Sequence, residues 1–151
     1  MVNLAFRRAI ETDLPTIIAL LADDILGASR EETGDNLRQY IDAFRAIEKD
    51  PNQFLAVAVL DGSLVGTLQL SFIPGLSRNA MWRGQIEAVR ISGDQRGKGI
   101  GEAMFNWAIE QCRNKGCGLV QLTTDKARPD AHRFYERLGF EPSHIGYKLK
   151  L

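Results

Sequence analysis

The sequence predicts a mixed α+β domain, a largely antiparallel sheet with helices on both faces. Two observations carry this. Apolar segments of period two and of helical spacing follow one another in the order β, α, α, three successive strands, α, β, α, β. A chain of 151 residues, 44% hydrophobic and 25% charged, is also long and apolar enough for one domain, residues 1–151, with a real core.

Leu4–Arg8 reads as the first strand. Thr12 is a good N-cap, Pro15 suits a first helical turn, and Leu14, Ile17, Ile18 and Leu21 follow at helical spacing. The polar stretch 27–36 reads as a loop, and a second helix follows with Leu37, Tyr40, Ile41, Phe44 and Ile47 on one face. Asp50-Pro51-Asn52 ends it. Phe54–Leu60 and Leu64–Ile73 are strands of a hairpin turned at Asp61-Gly62, and Pro74-Gly75 breaks the second. Met81–Ile91 is a third strand, in which Gly84 marks a bulge. Ile100–Lys115 is an amphipathic helix with Ile100, Ala103, Met104, Trp107, Ala108 and Gln111 along one side, stopped by Gly116 and Gly118. Leu119–Thr123 is a buried strand, Pro129–Leu138 a short helix ended by Gly139, and Ile145–Leu151 a closing strand.

Nineteen basic and nineteen acidic residues cancel, which disfavours general binding to nucleic acid. Cys112 and Cys117 flank a helix end, where a disulfide would strain the terminus, and their spacing is not that of a zinc site. They are expected to be reduced thiols in a cytoplasmic protein that needs no metal. The first residues have no long apolar stretch, so neither a signal peptide nor a membrane span is expected.

The most informative run is Val89–Gly101, an apolar strand end, a tight turn, and a glycine-rich loop opening a long helix. It aims backbone N–H groups at one point beside a helix N-terminus, the arrangement that holds a diphosphate. A Walker A loop is excluded, because Gly97-Lys98 is followed by Gly99 and not by Ser or Thr. A dinucleotide fingerprint fits poorly, since the spacing is Gly97-x-Gly99-x-Gly101 and Val120-Gln121-Leu122 supplies no carboxylate further on.

Arg96-Gly97-Lys98-Gly99-Ile100-Gly101 resembles the acetyl-coenzyme A loop of the GNAT superfamily of N-acetyltransferases, and Ala131–Phe140 is similar to that family's Ala-x-x-Phe-Tyr-x-x-x-Gly-Phe signature. The order of elements agrees with the family fold from Leu4 to Leu151. The resemblance implies that acetyl-CoA lies in a V-shaped gap between the strand at 85–91 and the strand at 119–123. Its pantetheine arm would pair with the backbone of Val89 and Ile91, beside Arg90, and its diphosphate would take N–H groups from Gly97, Lys98, Gly99, Ile100, Gly101 and Glu102. Arg96 would add charge, whereas Lys98 is either a phosphate contact or solvated. Asp125 stands where many members have a cofactor-binding asparagine; it either touches CoA or caps the next helix, or pairs with Lys126 or Arg128.

The implied reaction is attack of an amine on a thioester. It needs a base for the amine, an acid for the leaving thiolate, and an N–H donor, here that of Val89, for the acetyl oxygen. Glu87 is the candidate general base; otherwise it is a structural partner of Arg83 or Arg90. Tyr135 is the candidate general acid; otherwise it is a core aromatic. Phe72, Trp82 and Arg83 are expected beside the acceptor, with the 27–36 loop. Glu31, Glu32 and Asp35 there would attract a cationic amine, and Arg83 an acidic one, so the acceptor stays open. The alternative to an N-acetyltransferase is a non-catalytic acyl-CoA-binding regulatory module on the same fold. Members of the family are often dimers, and exposed strand edges suit a homodimer.

Overall fold

The computed structural model describes residues 2–23 and 37–151. Its sheet has five strands in chain order: β1 (Leu4–Arg8), β2 (Gln53–Leu60), β3 (Ser63–Ile73), β4 (Arg83–Ile91) and β5 (Leu119–Gln121). The first four pair antiparallel and β5 runs parallel to β4. Period-two alternation divides each strand between two cores. Val57 packs with Ala9, Ile17, Ile18 and Phe44 beneath α1 (Leu14–Ala22) and α2 (Arg38–Lys49). Its neighbours Ala56 and Ala58 face the opposite side, beneath α4 (Ile100–Lys115) and, further along, α5 (Pro129–Arg137). Leu68, Leu70, Ile86, Met104 and Phe105 are almost wholly buried there, each worth about 1.5–3 kcal/mol. Trp107 extends α4 toward the far strands, its ring 5.5 Å from that of Phe6 and 5.4 Å from that of Phe54.

Local chemistry explains the ends of the elements. Asp61 (φ 48°) and Gly62 (φ 85°) give the paired positive φ values that a two-residue hairpin needs. Between β3 and β4 lies a single turn, α3 (Ser77–Ala80), in which Arg78 and Asn79 are left-handed. Helix α4 stops at Gly116 (φ 87°), whose N–H donates to Arg113 O while Cys117 N–H donates to Cys112 O, each at 3.0 Å. These are the two bonds of a Schellman motif, with Cys112 and Cys117 as its apolar contact pair. Both cysteines are free, and burial pushes the Cys112 thiol up to about 11.

Four expectations need correction. Thr12 does not cap α1: a 3-10 turn, Glu11–Asp13, precedes the helix. There Asp13 Oδ2 accepts from Ile10 N–H at 2.8 Å and from Arg7 at 2.7 Å. Arg7 holds the Asp13 carboxyl below its ordinary range. Gly84 is not a bulge, and β4 starts at Arg83, not Met81. A Cβ on Gly84 would lie 2.3 Å from Cys112 Sγ, so this glycine lets α4 approach the sheet. The bulge falls four residues later, at Ala88. Thr67 pairs with Arg90 and Gln69 with Glu87, leaving Ala88 and Val89 opposite Leu68, with Ala88 at φ 53°. Finally, residues 145–151 form no strand, and all are exposed. Among the described residues, no helix is long and apolar enough to cross a membrane.

Candidate active site

Strands β4 and β5 pair at only three positions, Arg83 with Leu119, Gly84 with Val120 and Gln85 with Gln121. Beyond Gln85, β4 continues to Ile91 while β5 has ended, so the two arms of a V open toward the end of β4. The bulge sets what each face of that arm presents. Ile86, Val89 and Ile91 pack on the α4 side; without the extra residue, Val89 and Ile91 would point the other way. Alternation leaves Glu87 and Arg90 together on the opposite face. Val89 O accepts from Arg90 Nη1 at 2.8 Å, and Ile91 O from Arg96 Nε at 3.1 Å.

Past Ile91, a 3-10 turn (Gly93–Gln95) leads into the loop, where Gly97 (φ 75°) and Gly99 (φ 81°) hold left-handed backbone that only glycine adopts cheaply. Nothing lies within 4 Å of the Cβ position at either, so the loop borders open space. Gly99 is the N-cap of α4 and no side chain caps it. Ala103 N–H bonds back to Gly99 O, which leaves the N–H groups of Ile100, Gly101 and Glu102 without helical partners. An anion is the natural partner for that set, and the residues fit a diphosphate. Gly101 differs from the other two: its φ is not positive, and a Cβ there would sit 3.8 Å from Ile91 and 4.0 Å from Phe134. Arg96 is occupied elsewhere, donating to Asp23 O at 3.0 Å, which ties the loop to the end of α1. Lys98 is exposed, with Gln95 Oε1 at 3.4 Å.

Glu87 is exposed, and its carboxylate forms no ion pair or hydrogen bond with any of the described residues, Arg83 included. Its carboxylate therefore has no structural duty in the sheet. Tyr135 is half-buried on α5 in an aromatic cluster, its ring 5.6 Å from Phe105, 5.7 Å from Phe134 and 6.3 Å from Phe140. Its hydroxyl has no hydrogen-bond partner among the described residues. Burial raises the phenol above its ordinary value, partly offset by the Arg128 and Arg90 guanidiniums. The phenol thus keeps its proton at neutral pH, on a ring packed against the same core as Val89. Asp125 turns inward on its own backbone: Oδ1 accepts from Ala127 N–H at 2.9 Å and its carbonyl from Arg128 N–H at 3.1 Å.

The structure does not bring the expected acceptor residues to this place. Phe72 is 7% exposed and belongs to the core. Trp82 packs on the same core, its carbonyl accepting from Gly118 N–H at 2.8 Å. Arg83 lies at the paired end of the V, with Gln121 Oε1 at 3.5 Å. Glu87 lies four positions further along the strand, about 13 Å away at the usual rise. The loop 27–36, with Glu31, Glu32 and Asp35, lies outside the described residues. Sequence reasoning missed the bulge at Ala88 and the electrostatic influence of Arg90 and Arg128 on the Tyr135 phenol. The sequence placed Arg90 beside the cofactor arm and Glu87 but not near Tyr135, and nothing local marks Ala88.

Comparison with known proteins agrees with this geometry. A model of the Acetyltransferase (GNAT) family matches residues 16–140. An aminoalkylphosphonate N-acetyltransferase from Salmonella typhimurium is 36% identical over 110 residues, covering 73% of this chain and 71% of the other. Among solved structures, one described as a transcriptional regulator from Bacillus halodurans C-125 superposes with a TM-score of 0.95 at 47% identity, covering 99% of this chain and 100% of that one. A candidate acetyltransferase from Agrobacterium tumefaciens str. C58 superposes with a TM-score of 0.86 at 30% identity, covering 97% and 99%.

Proposed function

Because this chain belongs to the GNAT family of acetyltransferases, acetyl-CoA-dependent enzymes, we propose that it moves the acetyl group of acetyl-CoA directly onto the primary amine of a small molecule that also carries an anionic group. The observation that supports this best is the junction of an open β4 arm with the uncapped glycine N-terminus of α4. A thioester arm lies along the strand while its diphosphate takes the free N–H groups of residues 97–102. Val89 N–H polarises the acetyl carbonyl. Glu87, exposed and unpaired, takes the proton of the incoming amine, directly or through water. Tyr135, held protonated by burial, gives its proton to the departing thiolate. Asp125 shapes the turn before α5 and leaves CoA to its neighbours.

The anionic acceptor rests on the cationic neighbourhood of Tyr135, formed by Arg90 and Arg128, and on the relative named for aminoalkylphosphonates. The reaction proceeds in one catalytic domain in the cytoplasm, where Cys112 and Cys117 remain thiols, and needs neither metal nor nucleic acid. Thiol release from acetyl-CoA should be measured across amines matched in size, with aminoalkylphosphonates and amino acids set against polyamines. Turnover concentrated on the anionic amines is expected; turnover on polyamines alone would sink the acceptor class.

A second reading is an acyl-CoA-binding regulatory module, favoured by the neighbour described as a transcriptional regulator. Thermal stabilisation by acetyl-CoA with no turnover on any amine would establish it over the enzyme.

A further inference from the structure

The sheet face beneath α1 and α2 changes character from strand to strand. On β2 it is apolar, with Leu55, Val57 and Val59. On β3, β4 and β5 the same face carries amides. The register places Gln69 opposite Glu87, and the next row lines up Gln53, Ser71, Gln85 and Gln121 across four strands. Ser71 is buried, and the glutamines of both rows are half-buried.

One chain of hydrogen bonds runs along this face toward Glu87. Arg83 Nη1 donates to Gln121 Oε1 at 3.5 Å, and Gln121 Nε2 donates to Gln85 Oε1 at 3.0 Å. Its direction is forced. A guanidinium has donors and no acceptor, so Gln121 turns its oxygen to Arg83 and its NH2 to Gln85. The oxygen of Gln85 is thereby used, and its Nε2 is left outermost, donating to none of the described residues. Arg83 thus acts at a distance, through two amides. Gln85 itself stands two positions from Glu87, about 7 Å along the strand and on the same face. Arg90 stands on the other side of Glu87, in the row of Thr67. An amine held at Glu87 therefore has a cation to one side and a neutral N–H pair to the other. A hydrocarbon arm laid over Gln85 would strip those donors of water and leave them unsatisfied, whereas an oxygen would pair with them.

We infer that Gln85 determines acceptor specificity, with Gln121 and Arg83 as the positioning residues that fix which end of its amide faces the substrate. The acceptor is then an amine whose carbon carries two arms, an anionic group toward Arg90 and an arm ending in a carboxylate or carbonyl oxygen over Gln85. This rests on the reading of Glu87 as the group that meets the amine.

The test uses α-amino acids with arms of equal length: norleucine ends in a methyl, ornithine in an ammonium, glutamine in a carboxamide and glutamate in a carboxylate. The kcat/KM for each is measured from the α-N-acetyl product at saturating acetyl-CoA. Wild type should prefer glutamate or glutamine to norleucine by about tenfold, the worth of one good hydrogen bond, and whichever of the two leads tells whether the oxygen is charged. Gln85→Met keeps the length of the side chain and should abolish that preference. In Gln121→Glu the new carboxylate only accepts, so Gln85 turns its NH2 inward and its oxygen outward, and the preference should pass to ornithine. A structural tie between β4 and β5 would produce neither change, so variants that both keep the wild-type ranking overturn the inference. A wild-type preference for norleucine or ornithine also overturns it. So does transfer to aminoalkylphosphonates with none to the amino acids, or with no ranking among them, and either result leaves the catalytic reading standing. Transfer to no amine at all would remove both. The wild-type ranking with either variant decides the matter if the other misfolds.

Discussion

Replacing Gly99 by alanine, with Gly101→Ala as its control, separates the strain in the loop from the ligand it serves. Gly99 has φ 81°, and alanine there costs about 1–2 kcal/mol of left-handed strain. Nothing lies within 4 Å of the new methyl, so no clash adds to that figure. For a chain of this size the loss corresponds to a Tm lowered by about 2–8 °C. Gly101 has no positive φ and its new methyl would meet its nearest neighbours at 3.8 Å and 4.0 Å, so Gly101→Ala is expected to leave Tm unchanged or slightly raised. Binding should divide differently. The methyl at Gly99 enters the space assigned to the diphosphate and turns N–H groups away from it. A charge-assisted hydrogen bond is worth about 1.5–3 kcal/mol, so losing one weakens acetyl-CoA about tenfold to a hundredfold. Melting curves with and without acetyl-CoA, together with titration calorimetry, measure both effects. If Gly99→Ala loses the expected stability yet binds acetyl-CoA as tightly as wild type, the diphosphate does not sit on this loop.

Three further outcomes are expected. Tyr135→Phe keeps the ring and its packing, so kcat should fall by about two orders of magnitude or more with little change in the KM for acetyl-CoA; unchanged kcat would return Tyr135 to a purely structural role. Glu87→Gln should leave acetyl-CoA binding intact and lower turnover most at acidic pH, where the amine arrives protonated, and an unaltered pH–rate profile would remove Glu87 from the chemistry. Arg7 lowers the folded-state pKa of Asp13, so this pair stabilises the chain above the ordinary carboxylate range and the gain disappears as pH falls through the folded value. Urea melts of wild type and Asp13→Asn between neutral and acidic pH should therefore converge at the acidic end; a constant gap would refute the linkage.

The elements legible in the sequence are those whose cause is local. Asp61-Gly62 carries its turn chemistry in two residues, and the periodicity of α4 declares both its length and its buried face. The loop was legible for the same reason, because Gly97 and Gly99 are the residues that a left-handed backbone selects. The bulge was not, since alanine has no preference for positive φ and Ala88 takes it only because Leu68 and the flanking ladder leave two residues opposite one. Thr12 and Asp13 are both competent caps, yet neither side chain caps α1: that of Asp13 turns back to Ile10 N–H and to Arg7, which only the folded β1 brings near. The strand pattern of 145–151 states what the segment could pair with, not whether a partner edge is within its reach. The distance of Arg83 from Glu87 was hidden for a related reason. Position along β4 could be counted, but the end at which the two arms separate could not.

Arg96 gives the loop a further property. One guanidinium spans Ile91 O at the start of the loop and Asp23 O at the end of α1. A ligand that recruits this arginine must first compete with both carbonyls, and in succeeding it releases the end of the helix. Linkage is reciprocal, so whatever holds that helix end in place also tunes the affinity of the loop. The side chain that borders the glycine loop is thus also the one that holds the end of α1 in place.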